Sequence, residues 1–135
     1  MILADTSAWV EYDRATGSRI DLRVKDLIEK SDEVSVTEPV VMEVLAGARS
    51  EERARDLRRL LSRFDLLRFE PVADFEGAAF IYRRCRSAGV TPRGLIDCMI
   101  AAVSLRTGAS LLTNDIDLRR IAVLIGIQLD DASLI

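Results

Sequence analysis

Four acids stand where a carboxylate needs a reason: Asp5, Glu43, Asp97 and Asp115. Asp5 ends the apolar opening Met1-Ile-Leu-Ala4, and Asp115 closely follows the apolar run Ala109–Thr113. Asp97 lies in the opening of the periodic stretch Pro92–Thr107, beside a gap in its apolar stripe. Glu43 is the odd residue in Pro39-Val-Val-Met-Glu-Val-Leu-Ala46, where an acid is costly unless paired or bound to a cation. Each has an ordinary explanation taken singly. Asp5 and Asp115 can cap the helices that follow, Asp97 can answer a helix dipole, and Glu43 can sit on one wet edge of its helix. Taken together, with no lysine nearby in sequence, they would repel if clustered. Clustered carboxylates call for a cation, and all-oxygen ligation suits Mg²⁺ or Mn²⁺.

The residues that are missing narrow the chemistry in the same direction. There is no histidine, which excludes Ser-His-Asp and Cys-His nucleophilic catalysis and any histidine-containing zinc site. Cysteine occurs only at 85 and 98 without a CxxC, so neither a redox pair nor a structural zinc site is expected. No GxxxxGK[ST] or GxGxxG loop is present to cradle a phosphate. An enzyme built from this chain must work with carboxylates and a hard metal.

Arginine supplies 17 of the 19 positive charges, lysine standing only at 25 and 30. From Arg49 to Arg93 there are 11 arginines against 7 acids, a local +4, so with −3 overall the rest of the chain carries −7. A basic zone beside an acidic one suits a phosphate polymer, since the guanidinium fork matches phosphate. A helix surface laced with ion pairs gives the same pattern.

The elements that must position these residues follow from periodicity. The 135 residues, 15.0 kDa and about half apolar, are expected to form a single domain, 1–135, with a core that needs no staples. The longest apolar runs fall well short of the ~20 residues that span a bilayer, and no basic-then-apolar leader opens the chain. A soluble, cytoplasmic protein with no membrane partner is expected. Short apolar strands are predicted at Met1–Ala4, Val34–Thr37, near Leu66–Phe69, at Ala109–Thr113 and at Ile127–Asp130. Helices are predicted after Thr6-Ser7, over Ile20–Lys30, from Glu38-Pro39 to Gly47, and from an N-cap at Ser50 with a Leu57, Leu60, Leu61, Phe64 stripe. Further helices run from Asp74 to Ala88 with Phe75, Ala78, Ala79 and Tyr82 inward, over Pro92–Thr107, and over Asp117–Ile125. Alternating short strands and amphipathic helices indicate an α/β sandwich with a mostly parallel sheet. In such sheets, sites form outside the carboxyl ends of the strands, where Asp5 and Asp115 fall.

Four stretches, Ile2–Val10, Thr37–Gly47, Gly94–Ala102 and Leu111–Leu118, occur in an order and spacing that resemble a PIN domain, specifically a VapC-type toxin ribonuclease of a toxin–antitoxin pair. The resemblance implies a PIN-like three-layer α/β/α sandwich and a metal-dependent endoribonuclease, using Mg²⁺ with Mn²⁺ as substitute. It implies that Asp5, Glu43, Asp97 and Asp115 form the acidic quartet, with Asp117 as a further ligand and Thr6 and Thr113 as flanking polar positions. Leu118 stands where the family commonly has an aromatic residue. The implied partners are RNA, held by the arginine-rich zone, a VapB-type antitoxin seated on the Pro39–Gly47 and Glu51–Phe64 helices, and a second copy in a homodimer. The apolar segment Ile121–Ile127 is compatible with that dimer and equally with a terminal helix slotted into the monomer's own core.

Other classes fit less well. A phospho-receiver domain needs an acidic pair after its first strand and a late lysine, and no lysine follows residue 30. A phosphatase of the haloacid dehalogenase type needs Asp-x-Asp, where this chain has Asp5-Thr6-Ser7. A non-toxin PIN nuclease in RNA processing and a non-catalytic RNA- or protein-binding module remain as alternatives.

Overall fold

A computed structural model describes residues 1–30 and 33–133. Three short, largely buried triplets carry the sheet: β1 (Ile2–Ala4), β2 (Val34–Val36) and β4 (Ser110–Leu112), with the two-residue β3 (Asp65–Leu66) at one edge. β1 and β2 are buried at every position, as parallel strands covered on both faces must be. The order is β3-β2-β1-β4 and every pairing is parallel. Leu3 sits beside Ser35 on one side and Leu111 on the other, so Ala4, Val36 and Leu112 all point their carboxyl ends the same way.

Helices cover the sheet in two groups. α1 (Thr6–Asp13), α2 (Arg19–Lys30), α3 (Glu38–Ala46) and α4 (Glu51–Leu61) pack among themselves along the β1-to-β3 crossovers. α5 (Pro71–Ser87), α6 (Leu95–Thr107) and α7 (Ile116–Ile125) pack among themselves along the return path. Right-handed crossovers running in opposite directions across a sheet place their helices on opposite faces, which gives the expected α/β/α layers. The direction reverses between β1 and β4, and that is the switch point where parallel sheets open a crevice. Among the described residues no helix is long and apolar enough to cross a membrane.

Several boundaries depart from the sequence reading. The strand expected at Leu66–Phe69 is Asp65–Leu66. The strand expected at Ile127–Asp130 reduces to one parallel bridge, Leu129 beside Leu111. Asp130 accepts from Ala132 N–H (3.1 Å) and from Arg23, which turns the chain into a short 3₁₀ turn, Asp131–Ser133, before a second pair can form. That turn has a use: Ser133 Oγ accepts from Thr113 N–H at 2.9 Å and bonds the Leu111 carbonyl at 3.2 Å, bracing the end of β4.

The expected inward face of α5 holds at Ala78 and in part at Tyr82, but not at Phe75 and Ala79. Phe75 is 56% exposed and Ala79 is also exposed, while Asp74, Ala78, Ile81 and Cys85 are buried. The true stripe passes through an acid. Asp74 takes a fork from Arg106 on α6 (2.9 and 2.8 Å) and caps its own helix by accepting from Glu70 N–H at 2.7 Å. Burial pushes the Asp74 carboxyl up, but the Arg106 and Glu70 bonds outweigh it and hold it below its ordinary range. The same helix starts three residues earlier than expected because Pro71 takes the first helical position, where its missing N–H costs nothing. Gly77 then lets α5 lie close on α6, since a Cβ there would meet that of Ala102 at 3.3 Å.

α6 starts at Leu95 rather than Pro92, after an extended Gly94. It is buried almost all round, through Cys98 and Ile100–Ser104. Both cysteines are free and buried, and burial pushes the Cys98 thiol up to about 11, so neither is a reactive thiolate at neutral pH. The Ile121–Ile127 segment is divided: Ile121, Ala122 and Ile127 enter the core, whereas Val123 is 71% exposed.

A candidate metal-binding acid cluster

Asp5 leaves β1 at the switch point and caps α1, its Oδ1 accepting from Ala8 N–H at 2.9 Å. Only 3% of it is exposed. Three hydroxyls order the surroundings. Ser7 donates to Asp5 Oδ1 at 2.7 Å and Thr113 donates to Asp5 Oδ2 at 2.5 Å. Thr113 Oγ1 also accepts from Asp115 N–H at 3.0 Å, and Ser7 Oγ accepts from Asn114 N–H at 2.8 Å. The ends of β1 and β4 are thus latched through side chains more than a hundred residues apart. Thr6 donates to Glu43 Oε1 at 2.6 Å, fixing the acid of α3 beside the same strand end.

Asp115 caps α7, accepting from Asp117 N–H and Leu118 N–H at 2.7 and 3.2 Å. Asp97 comes from the first turn of α6, and among the described residues no side chain donates a hydrogen bond to it. Burial, followed by the charges of Asp115, Asp5, Glu43 and Asp117, pushes its carboxyl up to about 7. Asp5 is lifted to about 6, chiefly by burial, with the bonds from Thr113, Ser7 and Ala8 pulling it down and Asp115 pushing it up. All five acids singled out in the sequence therefore belong to one electrostatic unit.

The counter-charge comes from an unforeseen place. Arg93, in the loop before α6, pairs through Nε with Asp117 and through Nη2 with Asp115 at 3.4 Å. Nothing in the spacing of Arg93 predicts that contact, because its partners lie more than twenty residues ahead on another helix. Ser7 was readable only as a helix-start residue, although its place two positions after Asp5 is where a hydroxyl can reach back to a cap.

Among the described residues no three acids converge closely enough to hold an ion as they stand. The donor set nonetheless fits a hard dication in kind. It offers only carboxylate oxygens, two of them raised in pKa by burial and mutual repulsion, with one exposed guanidinium answering them.

Comparison with known proteins gives a consistent picture. Residues 2–124 match the PIN domain family. The chain is 43% identical over 129 residues to a VapC ribonuclease of Mycobacterium bovis, covering 95% of this chain and 96% of that one. Ribonuclease VapC11 of Mycobacterium tuberculosis matches to the same extent, 43% over 129 residues. In fold it is similar to DNA-bound VapBC from Salmonella typhimurium, with a TM-score of 0.77, 22% identity and 97% of each chain covered. VapBC2 from Rickettsia felis bound to a promoter DNA fragment gives 0.75 and 19%, covering 96% of this chain and 98% of that one.

Proposed function

Because this chain belongs to the PIN domain family and stands with its VapC ribonucleases, we propose that it is the endoribonuclease toxin of a type II toxin–antitoxin pair, one domain over 1–135. It hydrolyses RNA phosphodiester bonds at the cluster of Asp5, Glu43, Asp97, Asp115 and Asp117. The observation that carries this reading is the meeting of acids from β1, α3, α6 and the β4–α7 turn at one switch point. Metal dependence is general among VapC-type PIN nucleases, and the all-oxygen donor set favours Mg²⁺, with Mn²⁺ as substitute.

In this reading Asp5, Asp97, Asp115 and Asp117 hold the ion. When bound, it supplies positive charge against the scissile phosphate and a Lewis acid near the attacking water. Ser7 and Thr113 keep the Asp5 carboxylate in one orientation. Glu43, fixed by Thr6, is placed to orient the water or take its proton. Without the ion, burial and the neighbouring acids push the Asp97 carboxyl up to about 7, so taking up the ion at neutral pH releases a proton there. Purified protein will cut RNA with Mg²⁺ or Mn²⁺ and stop on chelation. Undiminished cleavage in excess EDTA would exclude the metal mechanism.

Two protein partners belong to the same proposal. A groove of about 660 Å³ between α1, α3 and α4 is floored by the buried Trp9, Val44 and Leu57 beside Glu43. It suits an apolar VapB-type antitoxin segment whose arginine would compete for the acids. The exposed Ile116 and Val123 on α7 suit a homodimer contact, and RNA as substrate places the work in the cytoplasm. Co-expression with a VapB-type partner is expected to give a stable, inactive complex, sedimenting as two toxin chains or more. Failure to co-purify, or a lone 15.0 kDa toxin species unchanged on concentrating, would count against the antitoxin and the dimer respectively.

A further inference from the structure

We infer that the groove between the second half of α5 and the loop over 90–94 seats a single strand of RNA and delivers it to the acid cluster. This rests on the nuclease reading above and adds the substrate's path. The groove, about 670 Å³, is lined by Tyr82, Arg83, Arg86, Pro92, Arg93 and Leu95 among others, and no acid lines it. Arg83 and Arg86 are exposed, and among the described residues neither has an ion-pair partner. On α4, Arg53 is paired with Asp13 and Arg59 lies 3.7 Å from Asp56, while Arg55 and Arg58 are exposed on a convex helix surface and among the described residues have no ion-pair partner. Within the basic zone of the sequence, this groove is a concave surface lined by three arginines and no acid, two of them without an ion-pair partner among the described residues.

Three features select a nucleic acid strand as the occupant. The unpaired guanidinium groups complement a chain of phosphates. The Arg86 guanidinium lies over the Tyr82 ring at 5.7 Å, and the exposed Leu95 adds apolar surface, the combination on which unstacked bases rest. Third, Arg93 belongs to both places, lining the groove while pairing with Asp115 and Asp117. A strand lying in the groove therefore ends at the acids. A phosphate arriving there offers Arg93 a new anion as Asp115 and Asp117 turn to other ligands.

The test is RNA binding by anisotropy, using Asp97→Asn protein so that cleavage does not intervene. The probe is a labelled single-stranded RNA of about 12 nucleotides. Arg83→Ala/Arg86→Ala is expected to weaken binding about tenfold and to lower the salt slope by about 1.4, two phosphates' worth on a single strand. Tyr82→Ala is expected to weaken it about fivefold or more, with Tyr82→Phe restoring it. Arg55→Ala/Arg58→Ala, which removes the same charge from exposed positions of α4, is expected to stay within about twofold. Equal loss from both double variants, or an unchanged salt slope in Arg83→Ala/Arg86→Ala, would overturn the groove. So would a polyglutamate peptide that binds as tightly as RNA and is lost in parallel. If RNA binds the parent and metal-loaded wild type cuts it, such a result removes this inference alone. If neither happens, the nuclease reading itself falls.

Discussion

Asp97→Asn is expected to lower metal-dependent RNA cleavage by about 10³-fold or more, the scale of losing one preorganised charge from a catalytic site, and at the same time to stabilise the metal-free fold at pH 8. The two effects share a cause. Asp97 faces four other acids without a hydrogen-bonded partner, and its carboxyl is pushed from 3.8 up to about 7. Between those values the unfolded chain has released this proton while the folded chain keeps it. The folded state then binds more protons, so stability falls as pH rises through that window and is lowest above about 7. Three pH units would correspond to about 4 kcal/mol at most. With part of the repulsion shared among the cluster and solvent screening the rest, about 1–3 kcal/mol is the expected gain for Asn. Urea unfolding without metal reads it directly. The variant and wild type should coincide near pH 4 and separate by pH 8, with added Mg²⁺ closing the gap by raising only the wild type. Equal stability at both pH values would mean that Asp97 is not held in a repulsive cluster. Wild-type turnover in the variant would remove it from the site.

The sequence carried the site further than it carried the helices. A parallel strand buried on both faces is a continuous apolar run, so the first acid after Ala4 or Leu112 lies at the carboxyl edge wherever the sheet folds. That made Asp5 and Asp115 legible before any coordinates, and the apolar neighbours of Glu43 made it conspicuous. On α5 the pattern finds Ala78 and part of Tyr82 but not the rest of the buried face, for the opposite reason. Its buried stripe runs through Asp74, whose partner Arg106 lies 32 residues away, and a pattern of apolar residues alone steps off that stripe onto Phe75. Pro92 similarly looked like a helix start, although Gly94 stays extended and Arg93 reaches across to another helix. Contacts of this kind depend on which strands become neighbours, so local periodicity cannot show them. Ser7, Thr113 and Arg93 are all in that class.

Asp5 carries two duties, and replacing it two ways will separate them. Its carboxylate accepts from Ala8 N–H, Ser7 and Thr113, so it caps α1 and joins β1 to β4 as well as serving the cluster. Asp5→Asn removes the charge but keeps an acceptor of the same size, and the Thr113 hydroxyl can rotate to suit the amide. Asp5→Ala removes both. It leaves the α1 cap empty, at about 1 kcal/mol, and strands buried hydroxyl donors at about 1–3 kcal/mol. Against this stands the relief of an acid that burial has pushed up to about 6. That raised value costs stability as pH climbs from 3.8 to 6, and the cost persists above 6. Both variants are therefore expected to lose cleavage on the order of 10³-fold. Their stabilities should diverge, with Asn at or slightly above wild type at pH 8 and Ala about 2 kcal/mol below it. The gap between Asn and Ala should hold at both pH values, since neither titrates at position 5, while the deficit of Ala relative to wild type should widen near pH 4, where the wild-type carboxyl is protonated and no repulsion remains to be relieved. Urea midpoints at the two pH values, with slopes compared to verify two-state unfolding, measure it. If Asn and Ala were equally stable, the hydroxyl latch between β1 and β4 would contribute nothing. If Asp5→Asn still cut RNA at the wild-type rate, Asp5 would be a helix cap only, and the cluster would have to work with the four remaining acids.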